Sequence, residues 1–209
     1  MSLYNMKLAA NYFAMTHPEG VTDIYKYVFQ KMLKKNKVDT FYSSKIIYFT
    51  NGKHICVRTL ASDELIPMAI ESHDLTLGQT ISGHVMVPLN RECSFNAQEI
   101  EEYIAEHGAA PKGNSGKKRK NLTVDEAIGF IQNALLNKGL SDLKITKHII
   151  GPKLNIMKFT VDTIDIAFTA KVTELEAFQT AWLQGVGRDK AYGFGMIRLD
   201  NSKYTAPSS

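Results

Sequence analysis

The stretch Thr40-Phe-Tyr-Ser-Ser-Lys-Ile-Ile-Tyr-Phe-Thr50-Asn51-Gly52-Lys-His54-Ile-Cys-Val-Arg-Thr-Leu60 holds two runs rich in β-branched and aromatic residues, with Asn-Gly between them. Such residues favour strands, and Asn-Gly accepts the positive φ values that a two-residue hairpin turn demands. Thr40 to Thr50 and His54 to Leu60 are therefore expected to pair as an antiparallel hairpin. Upstream, Lys7 to Phe13 is strand-like and His17-Pro-Glu-Gly20 reads as a turn. Thr22 can cap a helix from Asp23 to about Lys35, with Asp23 favourably placed against the helix dipole. Downstream, a short helix from Ser62 to about Glu71 and a brief strand near Leu75 complete a β-α-β-β-α-β unit.

The same order recurs in the second half. Thr80 to Leu89 reads as a strand. Thr123-Val-Asp-Glu126 is a capping box opening a helix to about Asn137, with Gly139 beyond it. Leu143 to Ile150 and Ile156 to Thr169 form a second strand pair around Gly151-Pro152, Glu174 to Leu183 a second helix, and Met196 to Leu199 a final strand. The expected fold class is α+β, two tandem ferredoxin-like units, with boundaries at 1–77 and 78–209. This module also underlies the RNA-recognition motif, whose sheet can bind RNA. An insertion at 94–121 interrupts the second unit. Asn96 to Glu106 reads as an acidic surface helix, and His107 to Lys120 as a mobile, glycine-rich, basic segment suited to clamping a phosphate backbone.

Composition narrows the classes. The chain has 209 residues, 44% hydrophobic and 22% charged, a net charge of +4 and a pI near 8.9. It can bury real cores, and its mild basicity tolerates a polyanion as partner. The cations cluster: Lys117, Lys118, Arg119 and Lys120 follow Lys112, and Lys31, Lys34, Lys35 and Lys37 form a second group. Cys56 and Cys93 make no C-x-x-C, so neither zinc nor a structural disulfide is expected. Residues 1–15 lack a signal-peptide core and no apolar run reaches spanning length, which points to a cytoplasmic protein without a membrane partner.

Between the last helix and the last strand lies Gly185-Val-Gly187-Arg188-Asp-Lys190-Ala-Tyr-Gly193-Phe-Gly195. Glycines let backbone amides turn towards an anion, and Arg188 and Lys190 add charge. Neither G-x-G-x-x-G nor a P-loop pattern is present, and this loop leaves a helix for a strand, whereas nucleotide loops leave a strand for a helix. Two readings stand: a loop whose Gly185, Gly187, Gly193, Arg188 and Lys190 hold a phosphate chain, or a glycine turn with two solvated cations.

These residues resemble the CasE branch of the CRISPR repeat-RNA endoribonucleases, members of the RAMP proteins. The resemblance spans most of the C-terminal half: Gly78 with the strand ending Val87-Pro88-Leu89, Lys117 to Lys120 before the helix from Val124, Phe159 to Phe168, Glu174-Leu-Glu-Ala-Phe178, and the glycine loop running on to Leu199. It implies paired ferredoxin-like domains and a protein that cuts precursor CRISPR RNA at the base of a repeat stem-loop. It also implies that the protein stays bound as a subunit of an effector complex, of type I-E or type IV, and needs no cofactor or metal. The 2′-hydroxyl would attack the adjacent phosphate, which asks for a base, an acid and donors around the phosphorus. The family usually places a histidine early in the first helix. Tyr25 stands there instead, and the nearest imidazole is His17, in the preceding turn. Tyr25 and His17 are the candidates for proton transfer, with Lys117, Lys118, Arg119 and Lys120 beside the glycine loop as RNA ligands. A silent RNA-binding subunit, or a tandem ferredoxin-like protein holding a small anion, are the competing readings.

Overall fold

The computed structural model describes residues 5–21, 24, 26–28, 46–60, 68–156 and 159–205. Four strands, β1 (Asn5–Thr16), β2 (Ile47–Thr50), β3 (His54–Thr59) and β4 (Ala69–Thr76), form an antiparallel sheet in the order β4-β1-β3-β2. The second half repeats this with β5 (Thr80–Pro88), β8 (Leu140–Ile150), β11 (Thr163–Val172) and β12 (Arg198–Leu199), ordered β12-β5-β11-β8. Counted within each half, both sheets read 4-1-3-2, the ferredoxin-like order. The fold is therefore α+β and tandem ferredoxin-like, as expected. A last strand, β13 (Lys203–Thr205), crosses back and pairs with β4.

The expected hairpin is present from Ile47 to Thr59, with its tip displaced by one residue, while residues 40–45 lie outside the described residues. Asn51 and His54 close the turn through Asn51 N–H to the His54 carbonyl at 3.3 Å, leaving Gly52 and Lys53 at the tip. Asn51 Oδ1 accepts from the Lys53 and His54 amides at 3.0 and 2.8 Å, so the asparagine caps the turn from its first corner. Only Gly52, at φ +81, needs the left-handed region there.

Other boundaries moved for physical reasons. Of the expected helix over Ser62 to Glu71, residues 62–67 lie outside the described residues and Ala69 to Glu71 are strand; the brief strand near Leu75 runs for eight residues because it pairs along β1 from Asn5 to Tyr12. The strand pair around Gly151 is drawn back to Leu140–Ile150 and Thr163–Val172. A small hairpin, β9 (Leu154–Ile156) with β10 (Phe159–Val161), fills the gap and buries Leu154, Ile156 and Val161 against Met86 and Phe194. The helix expected after Thr22 is represented by Ile24 and Lys26 to Val28. Tyr25, Thr22 and the lysine cluster 31–37 lie outside the described residues.

The insertion carries regular structure where a mobile basic segment was expected. Strand β6 (Asn90–Ser94) leads into α1 (Ala97–His107), a short turn at 113–116 and strand β7 (Lys117–Asn121), which pairs back on β6. The Asn96 side chain accepts from the Glu99 amide at 2.9 Å, and the Glu99 carboxylate accepts from the Asn96 amide, a full capping box. The cations that suggested disorder each meet a partner here. Lys117 pairs with Glu92 at 2.7 Å, Lys118 with Glu99, and Lys120 with Glu126 at 3.1 Å, while Arg119 donates to Asn90 Oδ1 at 3.3 Å.

Two helices sit on the second sheet: α2 (Val124–Leu136), opened by the predicted capping box, and α3 (Leu175–Gln184). Their buried residues Ala127, Ile131, Leu135, Phe178 and Trp182 share one core with Val85, Ile164, Ile166 and Phe168. Leu8, Ala10 and Leu75 of the first sheet enter the same core, so the second unit covers that face of the first sheet. The opposite face carries Phe13, Tyr48, Ile55 and Val57 against Ile24 and Val28. The face of the first sheet turned to the second unit is thus closed, unlike the open sheet of an RNA-recognition motif. No helix among the described residues is long and apolar enough to cross a membrane.

Candidate nucleic-acid interface

The glycine loop divides into two buried stems and an exposed tip. Helix α3 ends at Gly185, whose N–H donates to the Ala181 carbonyl at 2.7 Å. Val186 N–H donates to the Gly195 carbonyl at 2.9 Å and Gly195 N–H to the Met86 carbonyl at 3.0 Å, lacing the two stems together and to β5. A Cβ on Gly195 would stand 2.0 Å from the Val186 carbonyl oxygen, and one on Gly185 would meet Ile47 Cδ1 at 2.2 Å. Glycine is needed at these positions because the chain packs on itself, not because a guest approaches.

This corrects part of the expected phosphate cradle. Gly185 and Gly193 are buried, and their amides are spent internally, on Ala181 and on the Lys190 carbonyl at 3.2 Å. Gly193 is held tight by the Tyr48 ring, 2.7 Å from where its Cβ would lie. The tip differs. Gly187 and Arg188 are exposed, and nothing stands within 4 Å of a Cβ built on Gly187. Asp189 takes a left-handed φ of +57, uncommon for a residue with a side chain. Burial pushes its carboxyl up from the ordinary range, against the pull of Arg119 and Arg188. Burial, then the charge of Lys138, lowers the Lys190 ammonium.

The β6–β7 hairpin stands beside this tip. Arg188 Nη1 reaches the Glu92 carbonyl at 3.5 Å, and Glu92 in turn is held below the usual carboxylate range, first by its hydrogen bond to Lys117. The basic strand and the loop tip, far apart in sequence, are brought to one surface through Glu92, which touches both Arg188 and Lys117. Between β6, α2 and the tip lies a cleft of about 270 Å³ whose lining includes Arg91, Phe130, Gly187, Arg188 and Asp189.

His17 is placed elsewhere in the contact network. It follows β1, and its backbone N–H donates to the Lys53 carbonyl at 2.8 Å. Its Nδ1 lies 3.0 Å from the Pro18 carbonyl oxygen. A carbonyl only accepts, so that contact needs the proton on Nδ1 and leaves Nε2 as the basic nitrogen. The ring is half-buried, and its described hydrogen bond is to Pro18 rather than to the glycine loop.

Sequence reasoning missed the brace beneath the loop. Arg58, fully buried on β3, donates through Nε and Nη2 to both carboxylate oxygens of Glu71 at 2.7 and 2.9 Å. Two further donors meet the Trp182 carbonyl at 2.7 Å and the Ile197 carbonyl at 3.0 Å, one on each side of the loop. The guanidinium also lies 3.9 Å over the Trp182 ring. A second tie has Arg198 ion-paired with Asp165 and stacked 3.9 Å over Phe49 of the first sheet. The signal was available: Arg58 is the lone charge in the apolar run Ile55 to Thr59, where a buried cation demands a partner.

Fold and loop together define a class: a double ferredoxin-like protein whose C-terminal glycine loop is pinned between its two sheets. The family model described as CRISPR associated protein matches residues 95–200, half of the chain, and the protein belongs to that family. Among solved structures, a CRISPR endoribonuclease Cse3 bound to a 19-nucleotide RNA is similar at 14% identity and a TM-score of 0.58, covering 92% of this chain and 98% of its own. Thermus thermophilus Cse3, bound to an RNA representing a pre-cleavage complex, is similar at 14% identity and a TM-score of 0.57, with the same coverage. The CRISPR-associated protein Cas6e from Escherichia coli K-12 is similar at 14% identity and a TM-score of 0.59, covering 96% of this chain and all of that one. At such identity the likeness is one of fold. No curated protein matches by sequence.

Proposed function

We propose that this protein is an endoribonuclease that cleaves CRISPR precursor RNA within the repeat, at the base of a stem-loop, and stays bound to the product as a subunit of a cytoplasmic effector complex. The observation that carries the reading is the meeting of the basic strand β7 with the exposed tip Gly187–Arg188 on one surface of a CRISPR-associated fold. A row of cations along a strand suits the regularly spaced phosphates of an RNA backbone. Lys117, Lys118 and Lys120 would exchange their carboxylate partners for phosphates, Arg119 would turn from Asn90 to a phosphate, and Arg188 and Lys190 would hold the phosphate next to the cut. The proposal keeps 1–77 and 78–209 as two units, each with its own 4-1-3-2 sheet, braced through Arg58.

The chemistry needs no metal. His17 Nε2 takes the proton from the 2′-hydroxyl, O2′ attacks the adjacent phosphorus, and the bond from phosphorus to O5′ breaks. Tyr25, assigned from its place in the sequence, returns a proton to O5′, leaving a 2′,3′-cyclic phosphate and a 5′-hydroxyl. The relatives in fold are named endoribonucleases or were solved with RNA, which supports this class of substrate. The second reading, a repeat-RNA-binding subunit that does not cut, is favoured by the hydrogen bonding of His17, whose described partners are Pro18 and Lys53.

Incubating the protein with a repeat stem-loop in EDTA decides between them. Cleavage should proceed in EDTA and should fall by at least about a hundredfold in His17→Ala and in Tyr25→Phe, with RNA affinity retained. Tight binding without cleavage by the wild-type protein would establish the silent subunit instead.

A further inference from the structure

The cleft between the hairpin, α2 and the loop tip has a build that phosphate binding does not require. Its floor is apolar, with Val87, Leu122, Ala127 and Ile131. On one wall Phe130 is 47% exposed, a large aromatic left open beside a basic surface. The Arg91 guanidinium lies 4.6 Å over the Phe130 ring, so a flat cation already covers part of that aromatic face. Arg91 Nε is buried without a hydrogen-bond partner. Facing them stand Arg188, on the exposed tip, and Asp189, held in its left-handed conformation. Backbone strain of this kind is retained where the surroundings fix it, often at ligand sites.

We propose that this cleft takes a single unpaired nucleobase of the bound RNA, an inference that rests on the RNA reading above and adds a base-reading subsite to it. A nucleobase is flat and aromatic, with donors and acceptors on its edge and a phosphate on either side. Its face would stack in the Phe130–Arg91 wall, displacing or sandwiching the guanidinium. Its edge would meet the Asp189 carboxylate, which accepts from amino and imino groups and so favours bases that present them. Its phosphate would fall to Arg188. Stacking on aromatic and guanidinium planes is the general way proteins hold unpaired bases. A paired base has both its faces and its edge occupied and offers the wall nothing, so the occupant comes from a flank or a bulge.

The probe is a repeat stem-loop carrying 2-aminopurine at each unpaired position in turn. Binding should change the fluorescence sharply at one position. In Phe130→Ala that change should vanish and affinity should fall by about tenfold, the scale of one base–aromatic stack. Phe130→Trp should retain both, and Leu136→Ala, an exposed apolar residue at the end of the same helix, should match wild type. An abasic nucleotide at the responding position should weaken wild type by the same factor and leave Phe130→Ala unaffected. The inference is overturned if Phe130→Ala binds the probe and reports as wild type does. It is overturned in favour of a small-ligand pocket if free mononucleotide protects Phe130 while stem-loop binding ignores its loss. If wild type fails to bind the stem-loop at all, the RNA reading itself has failed, an outcome no variant of the cleft can mimic.

Discussion

Two arginines measure the difference between the stems of the glycine loop and its tip. Arg58 is fully buried, donates to Glu71 and to one carbonyl from each side of the loop, and lies over Trp182. Arg188 is exposed and touches one carbonyl at the limit of hydrogen-bond reach. The first is consumed in holding two ferredoxin-like units around the loop, and the second has charge to give to a partner. A loop built this way presents an exposed tip on a buried mount. Its glycines mostly serve the mount.

The largest effect should come from the mount. Arg58→Ala leaves the Glu71 carboxylate buried without its partner, and loss of one member of such a pair costs about 3–5 kcal/mol. Thermal unfolding should show it as a large drop in Tm, partly recovered by adding Glu71→Gln, which removes the orphaned charge. A drop confined to the range of surface substitutions would mean that the stems hold without the brace. The glycines offer a sharper contrast. Gly195→Ala places a methyl 2.0 Å from a backbone oxygen at φ +78, so the stem must open. Gly187→Ala meets open space at φ +76 and should cost only the left-handed conformation, about 1–2 kcal/mol. Urea unfolding of the two variants should separate them clearly. Equal midpoints would erase the distinction between stem and tip.

At the tip the effect moves from stability to binding. Arg188→Ala should change unfolding by less than about 0.5 kcal/mol, as surface substitutions do. Its affinity for a repeat stem-loop should fall, and the slope of log K against log salt should flatten by about one unit for the lost phosphate contact. Titrations at several salt concentrations measure this directly. An unchanged slope would remove Arg188 from the phosphate contacts.

The architecture was readable because each 4-1-3-2 sheet announces itself locally, through strand composition, a turn and a capping box. Thr123 and Glu126 cap α2 as their spacing required. What the sequence hid was pairing between distant segments. The run Lys117 to Lys120 looks disordered alone and becomes a strand because Glu92, Glu99 and Glu126, from three separate elements, meet its side chains. The eight residues of β4 are a strand because β1 lies beside them. In the loop, glycine density suggested open amides, whereas close approach to Ile47, Tyr48 and Val186 explains three of those glycines. The cleft under Phe130 has no local signature, since β6, α2 and the loop tip contribute to it from different parts of the chain.

The smallest effect concerns the hairpin against the sheet that carries it. Glu126 is held below the ordinary glutamate value of 4.5, first by the Thr123 amide and then by Lys120. Glu99 is lowered first by its hydrogen bond to Lys118, and Glu92 by its bond to Lys117. A carboxyl with a depressed folded pKa contributes stability that is full above 4.5 and fades as pH falls through the folded value. Lys118 works at the other end: its raised pKa stabilises fully below 10.5 and is lost as pH rises through the folded value. The hairpin should therefore be tightest between those limits and loosen in acid before the sheet does. Because these groups are solvent-exposed, the change should be modest and should shrink further in high salt. Amide exchange, corrected for its intrinsic pH dependence, should show β7 losing protection below pH 4.5 while β11, in the centre of its sheet, keeps it. Parallel loss in both strands would mean that the hairpin and the sheet open as one unit, and that the carboxylates do not hold the basic strand in place.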